Sequence, residues 1–155
     1  MSRIVAFDVG ERRIGVAVSD ASCTLARPLG TLQVRGVDAG AINTAANEVA
    51  RLAAEDDGVS AVVVGLPRRL DGSPNEMTPR VERFARGLAA RTRLPVTFQD
   101  ERLSSYEAES RLGLREKDWR IRKQRLDAAA AAVILQDYLD TRPGRVVPVS
   151  DDPDF

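Results

Sequence analysis

Residues 61–64 form an unbroken apolar run, Ala-Val-Val-Val, in the middle of the chain. Consecutive β-branched residues without polar alternation are typical of a central parallel strand that is buried on both faces. Apolar residues recur at helical spacing on either side of this run, between residues 39 and 55 and between residues 78 and 88. Asp38 and Thr78 stand where the N-caps of these helices are expected. The run therefore predicts an α/β fold in which helices cover a sheet.

Two apolar segments near the N-terminus, residues 3–9 and 14–18, are joined by a short polar link, which predicts a hairpin. Residues 28–34 and 96–99 are predicted to add two more strands, and the alanine-rich residues 127–139 a last helix. The order is thus three strands, a helix, a strand, a helix, a strand and further helices. Together these patterns predict a mixed five-stranded sheet flanked by helices.

The chain of 155 residues suits one ordinary domain, which we assign to residues 1–142, with a loose tail over residues 143–155. Hydrophobic residues make up 43% and charged residues 30%, as in globular rather than disordered or fibrous proteins. No run reaches the roughly 18 apolar residues of a membrane span, and no export signal precedes the first strand. The single cysteine, Cys23, excludes an internal disulfide. We therefore expect a cytoplasmic protein with no membrane contact.

The chain contains no histidine, and its 23 basic and 23 acidic residues balance to a net charge of zero. The commonest general base and the commonest transition-metal ligand are therefore both missing. Carboxylates that hold Mg²⁺ or Mn²⁺ can still support ester hydrolysis, because the metal generates the attacking hydroxide. If this chain is a hydrolase, its acidic residues are the candidates for the site.

Three carboxylates stand at the ends of predicted strands. Asp8 lies where the first strand meets Gly10, so its side chain is expected at the edge of the sheet, although a turn-forming role is the alternative. Asp100 and Glu101 end the last strand, and since strand side chains alternate, only one of them can face the same side as Asp8. An ordinary salt bridge with Arg102 is the alternative for this pair.

Asp127 precedes a run of alanines, residues 128–132. An N-cap is the simple interpretation and would contribute about 1 kcal/mol. The alanines, however, let the helix lie close to the sheet, and such packing could bring Asp127 beside Asp8. If Asp8, Glu101 and Asp127 converge within about 4 Å, each pair repels by about 4 kcal/mol at an effective dielectric of about 20. Bound cations would offset that repulsion, so convergence would favour catalysis over a structural role.

Basic residues are concentrated in a few places. Arg12, Arg13, Arg68 and Arg69 leave strands in loops, where they are candidates for phosphate contacts, with a solvated rim as the alternative. Residues 114–125, the basic segment, contain many positive charges and one aromatic residue. That aromatic residue could stack on a base, or it could simply make a hydrophobic contact within the protein. The nucleic-acid-binding candidates in this segment are Lys117, Trp119, Arg122, Lys123 and Arg125.

Four motifs follow one another along nearly the whole chain: residues 7–10 with 13–20, residues 65–67 with 71–72, residues 100–104, and residues 127–130. In these motifs the chain resembles the YqgF (RuvX) family of resolvase-like nucleases, which is related to the RuvC resolvases. The resemblance implies a ribonuclease H-like fold and divalent-metal phosphodiester hydrolysis. It also implies that Asp8, Glu101 and Asp127 are the catalytic, metal-binding residues.

One position departs from the RuvC-like pattern. That pattern has two aspartates in the last helix, one helical turn apart. Asp127 matches the first of them, but this chain has Ala130 in place of the second. Asp20 or Asp100 could substitute as a fourth ligand, but Asp20 is as easily a turn residue and Asp100 as easily a salt-bridge partner. The fourth ligand stays open at this point.

The resemblance further implies processing of the 5′ end of precursor 16S ribosomal RNA, with Mg²⁺ or Mn²⁺ activating water for in-line attack. One alternative is a Holliday-junction resolvase acting on branched DNA, which would require a homodimer with two sites. Another is a ribosome-assembly factor that binds RNA without cutting it. An ATP-binding fold of the sugar-kinase type ranks last, because one domain lacks the second half of such proteins. The sequence leaves monomer or homodimer undecided.

Overall fold

A computed structural model describes residues 2–100 and 119–141 of the chain. In these two ranges five strands form one mixed sheet in the order β3-β2-β1-β4-β5. Strands β1 to β3 are joined antiparallel, whereas β4 and β5 run parallel to β1. The strands are β1 (Arg3–Val9), β2 (Arg13–Ser19), β3 (Ala26–Gln33), β4 (Val59–Leu66) and β5 (Val96–Asp100). The predicted mixed sheet of five strands is confirmed.

The helices of the described ranges are α1 (Ala39–Ala53), α2 (Thr78–Thr92) and α3 (Trp119–Thr141). Val5 and Phe7 of β1 belong to the core layer that the sheet forms with α1 and α2. Ile4 and Ala6 belong to the opposite layer, which α3 covers. Because side chains alternate along a strand, Asp8 continues the series of Ile4 and Ala6 on the α3 face.

The starts of α1 and α2 differ in how they are capped. Asp38 caps α1 as predicted, since its carboxylate accepts a hydrogen bond from the Ala41 N–H at 3.1 Å. The predicted N-cap role of Thr78 is wrong, because Thr78 is already the first residue of α2. The side-chain oxygen of Asn75 instead accepts from the N–H groups of Met77 and Thr78, at 2.8 and 3.0 Å. The Thr78 hydroxyl donates to the carbonyl of Pro67 and so fastens the loop after β4 to α2.

Helix α3 begins at Trp119, about two turns before the predicted start at Asp127. Residues 119–126 contain neither glycine nor proline, so nothing in them interrupts a helix. Asp127 is therefore an interior residue of α3, and its interpretation as an N-cap is wrong. No helix in the described part of the chain is both long enough and apolar enough to cross a membrane.

The alanines of α3 allow it to lie close to the sheet. Ala128 and Ala131 are buried, and Ile134 and Tyr138 continue the buried stripe. The side chain of Gln136 accepts from the Ala26 N–H at 2.9 Å and fixes the helix against the start of β3. The predicted tail, residues 143–155, lies outside the described residues.

Candidate active site

Asp8 lies near the carboxyl end of β1, beside Gly15 of β2. The two residues are direct partners in the antiparallel register, and paired residues present their side chains on the same face. Gly15 presents no side chain there, so the surface next to the Asp8 carboxylate is main chain only. This gap on the α3 face of the sheet is where the site forms.

Helix α3 fills that gap with its own backbone. A β-carbon built on Gly15 would lie 2.1 Å from the carbonyl oxygen of Asp127 and 2.6 Å from its carbonyl carbon. Any side chain at position 15 would therefore force α3 away from β2. Sequence reasoning did not assign a role to Gly15, although a glycine inside an apolar strand is itself a signal of close backbone approach.

The close approach brings Asp8 and Asp127 to one cavity of about 460 Å³. The turn after β1 forms one wall, where the Gly10 N–H donates to the Arg13 carbonyl at 2.9 Å. A β-carbon on Gly10 would lie 2.9 Å from that carbonyl oxygen, so this tight turn requires glycine. The remaining lining residues are Val9, Glu11, Arg12, Arg13, Pro67 and Met77.

Arg13 is paired with Asp127 inside this cavity. Its Nε donates to Asp127 Oδ2 at 2.8 Å, and the side chains are 18% and 29% exposed respectively. The guanidinium thus engages one oxygen of the Asp127 carboxylate and partly neutralises the charge that the two aspartates bring together. Arg13 was predicted as a phosphate contact, and in this structure it is a partner of the carboxylate.

The other predicted phosphate contacts occupy different positions around the cavity. Arg12 lines it and is exposed at the tip of the β1–β2 hairpin. Arg68 and Arg69 are exposed in the loop between β4 and α2, whose two ends, Pro67 and Met77, line the cavity. Neither Arg68 nor Arg69 is among its lining residues.

The predicted candidates of the basic segment fall mostly at the edge of the described structure. Trp119, Arg122, Lys123 and Arg125 lie in the first two turns of α3. Lys117 and Glu101 lie outside the described residues.

The two alternative acidic ligands lie away from the cavity. Asp100 is the register partner of Leu66, which is buried in the core layer of α1 and α2, so Asp100 belongs to the face opposite Asp8. Asp20 follows the far end of β2 and accepts from the Ser22 hydroxyl at 2.6 Å and from the Thr24 N–H at 2.8 Å. These bonds hold the pKa of Asp20 at about 2, as in a turn-forming carboxylate.

The donor set of the cavity fits a hard divalent cation. Carboxylate oxygens are the ligands that Mg²⁺ and Mn²⁺ prefer, and Mg²⁺ is commonly held by one or two carboxylates with water and substrate phosphates completing its shell. Asp8 and Asp127 supply such a pair. Within residues 2–100 and 119–141, no three His, Cys, Asp or Glu side chains group closely enough to hold a metal ion. A third carboxylate would have to come from outside those ranges.

Comparison with known proteins places the chain among nucleases. The sequence model of the RuvX family, described as Holliday junction resolvase, matches residues 2–141. A candidate pre-16S rRNA nuclease of Chloroflexus aggregans is 45% identical over 140 residues, which cover 90% of this chain and 94% of that protein. A relative of the same name from Dechloromonas aromatica is 40% identical over 153 residues, 96% of this chain and 97% of that one.

A solved structure has the same architecture. RuvC of T. thermophilus in complex with Holliday junction substrate matches with a TM-score of 0.52 and 17% sequence identity. The match covers 96% of this chain and 99% of that one. At this identity the likeness concerns the fold alone, and it confirms the predicted ribonuclease H-like architecture.

Proposed function

This chain is a nuclease of the RuvX family, and we propose that it processes the 5′ end of precursor 16S ribosomal RNA. The observation that carries the proposal is the cavity in which Asp8 and Asp127 meet at the edge of the sheet. The names of relatives that are 40% to 45% identical over nearly their whole length support RNA as the substrate. Such a substrate is consistent with a cytoplasmic protein, and we propose residues 1–142 as its nuclease domain.

The cofactor in this proposal is Mg²⁺ or Mn²⁺, held by Asp8 and Asp127 together with Glu101. When bound, the metal lowers the pKa of the attacking water and stabilises the charge that develops on the phosphodiester. The chain contributes fixed carboxylates, because Asp8 is held by a strand and Asp127 by the interior of a long helix. Arg13 orients the Asp127 carboxylate through its Nε–H.

Glu101 is preferred over Asp100 as the third carboxylate for a reason that comes from the sheet. Asp100 shares its face with Val96, which is buried under α1 and α2. Since strand side chains alternate, Asp100 lies on the face opposite Asp8. The register thus argues against Asp100 as a ligand, and the preference for Glu101 rests on the resemblance of residues 100–104 to the motif of the family.

We assign the binding of the RNA strand to the basic residues around the cavity. Arg12 lines the cavity itself, and Arg68 and Arg69 project from the loop whose ends line it. The basic segment is proposed to hold more distant parts of the RNA through its cations and Trp119. The proposed residues of that segment are Lys117, Trp119, Arg122, Lys123 and Arg125.

The experiment is a cleavage assay on end-labelled precursor 16S RNA and on a four-way DNA junction, each with Mg²⁺, Mn²⁺ or a chelator. Wild-type protein is compared with Asp8→Asn and with Asp56→Asn. Asp56 is exposed beyond the end of α1, next to Glu55, which pairs with Arg3 at the start of β1, whereas Asp8 lies near the other end of that strand. It is the matched control for the loss of one carboxylate.

The proposal expects metal-dependent cutting of the RNA that Asp8→Asn abolishes and Asp56→Asn preserves. Cutting of the junction alone would make the protein a resolvase. Binding of RNA without cleavage under every metal condition would make it an assembly factor. In each case circular dichroism of the variants separates a catalytic loss from unfolding.

A further inference from the structure

A second depression adjoins the carboxylate cavity on the side of β3 and α2. It also measures about 460 Å³ and is lined by Glu11, Arg12, Val34, Arg35, Gly36 and Arg80. Glu11 and Arg12 line both depressions. The two therefore lie next to each other at the β1–β2 hairpin, with Asp8 and Asp127 lining the first and Arg35 and Arg80 the second.

Three separate parts of the fold supply the three arginines. Arg12 lies in the β1–β2 hairpin, Arg35 follows β3, and Arg80 lies in the first turn of α2. The Arg12 carbonyl accepts from the Val34 N–H at 3.0 Å, which joins the hairpin to the segment after β3. Arg80 is joined to the hairpin through its Nη1, which donates to Glu11 Oε1 at 2.7 Å. Backbone and side-chain bonds thus hold these three parts together.

Positive charge exceeds negative charge among the described residues of this depression. Three arginines stand beside one glutamate, and that glutamate is engaged by Arg80. Arg12 and Arg35 are exposed, and neither side chain has an ion pair or a hydrogen bond with the described part of the chain. Guanidinium groups that outnumber the carboxylates beside them are suited to the paired oxygens of a phosphate.

We propose that this arginine depression binds a backbone phosphate of the nucleic acid strand next to the phosphate that is cut. The inference rests on the proposed function, because it takes the phosphate that is cut to lie in the cavity of Asp8 and Asp127. From the cavity of Asp8 and Asp127 the strand passes over the β1–β2 hairpin and lies between Arg12 and Arg35. Glu11 holds Arg80 in place and at the same time lowers the positive charge that the strand meets.

The test measures binding of a fluorescent single-stranded RNA by anisotropy, in a chelator so that no cleavage occurs, across a range of salt concentrations. Arg12→Gln and Arg35→Gln are each compared with Arg27→Gln. Arg27 is an exposed arginine of β3, at the end of that strand away from both depressions. All three changes remove one positive charge from the surface.

Arg12→Gln and Arg35→Gln should each lower the affinity several-fold at low salt, while Arg27→Gln leaves it unchanged. The slope of log K against log salt should fall by about 0.7 for each lost phosphate contact on a single strand. In the cleavage reaction both variants should raise KM and keep kcat. Wild-type affinity and slope in the Arg12→Gln, Arg35→Gln double variant would overturn the inference.

Glu11→Gln supplies a test of opposite sign. The amide can still accept from Arg80, but the negative charge is removed, so the RNA affinity should rise. A fall in affinity would overturn the charge argument. If the arginine variants weaken RNA binding while the wild-type protein never cleaves RNA, the phosphate site stands and the proposed nuclease function falls. If cleavage is metal-dependent but the arginine variants bind and cut like wild type, the phosphate site falls alone.

Discussion

The carbonyl group of Asp127 packs directly on Gly15, at a distance that leaves no room for a β-carbon on β2. Gly15 is also the register partner of Asp8. The absent side chain therefore does two things at once. It lets the backbone of α3 pack directly on β2, and it brings Asp127 of α3 close to Asp8 of β1.

Replacement of Gly15 by alanine is predicted to separate the two carboxylates. The new methyl group would collide with the main chain of α3, which can yield only by moving the helix, at a cost of about 1 to 3 kcal/mol. Cleavage by the folded protein should fall at least about 10-fold, the effect of a loss of about 1.4 kcal/mol in transition-state stabilisation. Urea unfolding and single-turnover cleavage measure the two effects separately.

Gly30→Ala is the control for this change. Gly30 has a φ of 154° with nothing near its missing β-carbon, so alanine there strains the backbone of β3 without touching α3. We expect Gly30→Ala to lower stability but to keep the cleavage rate of the folded fraction. Equal activity losses in both variants would show that stability alone, and not the displacement of Asp127, determines the rate.

The sheet could be predicted from the sequence because its signals are local. Alternation and apolar runs identified the strands, and the Asp8–Gly10 turn already placed Asp8 at the sheet edge. The start of α3 could not be found in the same way, since the crowded charges of residues 119–125 hide any apolar stripe. The alanine run alone therefore predicts a cap at Asp127, whereas the structure has Asp127 inside the helix.

The relation between distant segments was also beyond the sequence. Alternation alone does not say which face of the sheet Asp100 is on, and only the pairing of β5 with β4 shows that it is the face of α1 and α2. In the same way, the sequence does not distinguish Gly15 from the other glycines, because only the packing of α3 shows that position 15 has no room for a side chain. Such contacts depend on tertiary packing, and the periodicity of the sequence does not predict them.

Asp100→Asn is predicted to have little effect on cleavage, whereas Glu101→Gln should abolish it. The reason is the face of Asp100, whose register partner Leu66 is buried on the side away from Asp8. The measurement is kcat with saturating Mn²⁺ for both variants, with circular dichroism to verify folding. An inactive Asp100→Asn with an active Glu101→Gln would exchange their roles.

Arg13→Gln is predicted to tighten metal binding several-fold. The Arg13 guanidinium lies 2.8 Å from the Asp127 carboxylate and repels a cation bound at the same group, whereas glutamine keeps a donor without the charge. Titration of Mn²⁺ by electron paramagnetic resonance measures the affinity without any substrate. Arg27→Gln, which removes a charge far from the cavity, should leave it unchanged.

Weaker Mn²⁺ binding by Arg13→Gln would contradict this prediction. It would mean that Arg13 contributes to the site chiefly by orienting Asp127, so that the loss of its fixed geometry outweighs the relief of repulsion. The cleavage rate at saturating metal then separates the two roles, since orientation affects the rate and repulsion affects only the concentration of metal required.

Asp20 is predicted to stabilise the fold above its titration range and to have no part in cleavage. The Ser22 hydroxyl, followed by the N–H groups of Leu25 and Thr24, lowers the pKa of Asp20 from its ordinary value of 3.8 to about 2. Because the folded-state pKa is the lower one, the stabilisation is complete above the ordinary value and is lost as the pH falls towards 2. Asp20→Asn should therefore unfold at a lower urea concentration than wild type near neutral pH, and the difference should shrink between pH about 4 and about 2.

The same variant tests whether Asp20 serves as the fourth metal ligand, in place of the aspartate that the RuvC-like pattern has at position 130. The turn lies beyond the far end of β2, so Asp20→Asn should cut RNA at the wild-type rate, and a complete loss of cleavage in the folded variant would instead make Asp20 the fourth ligand.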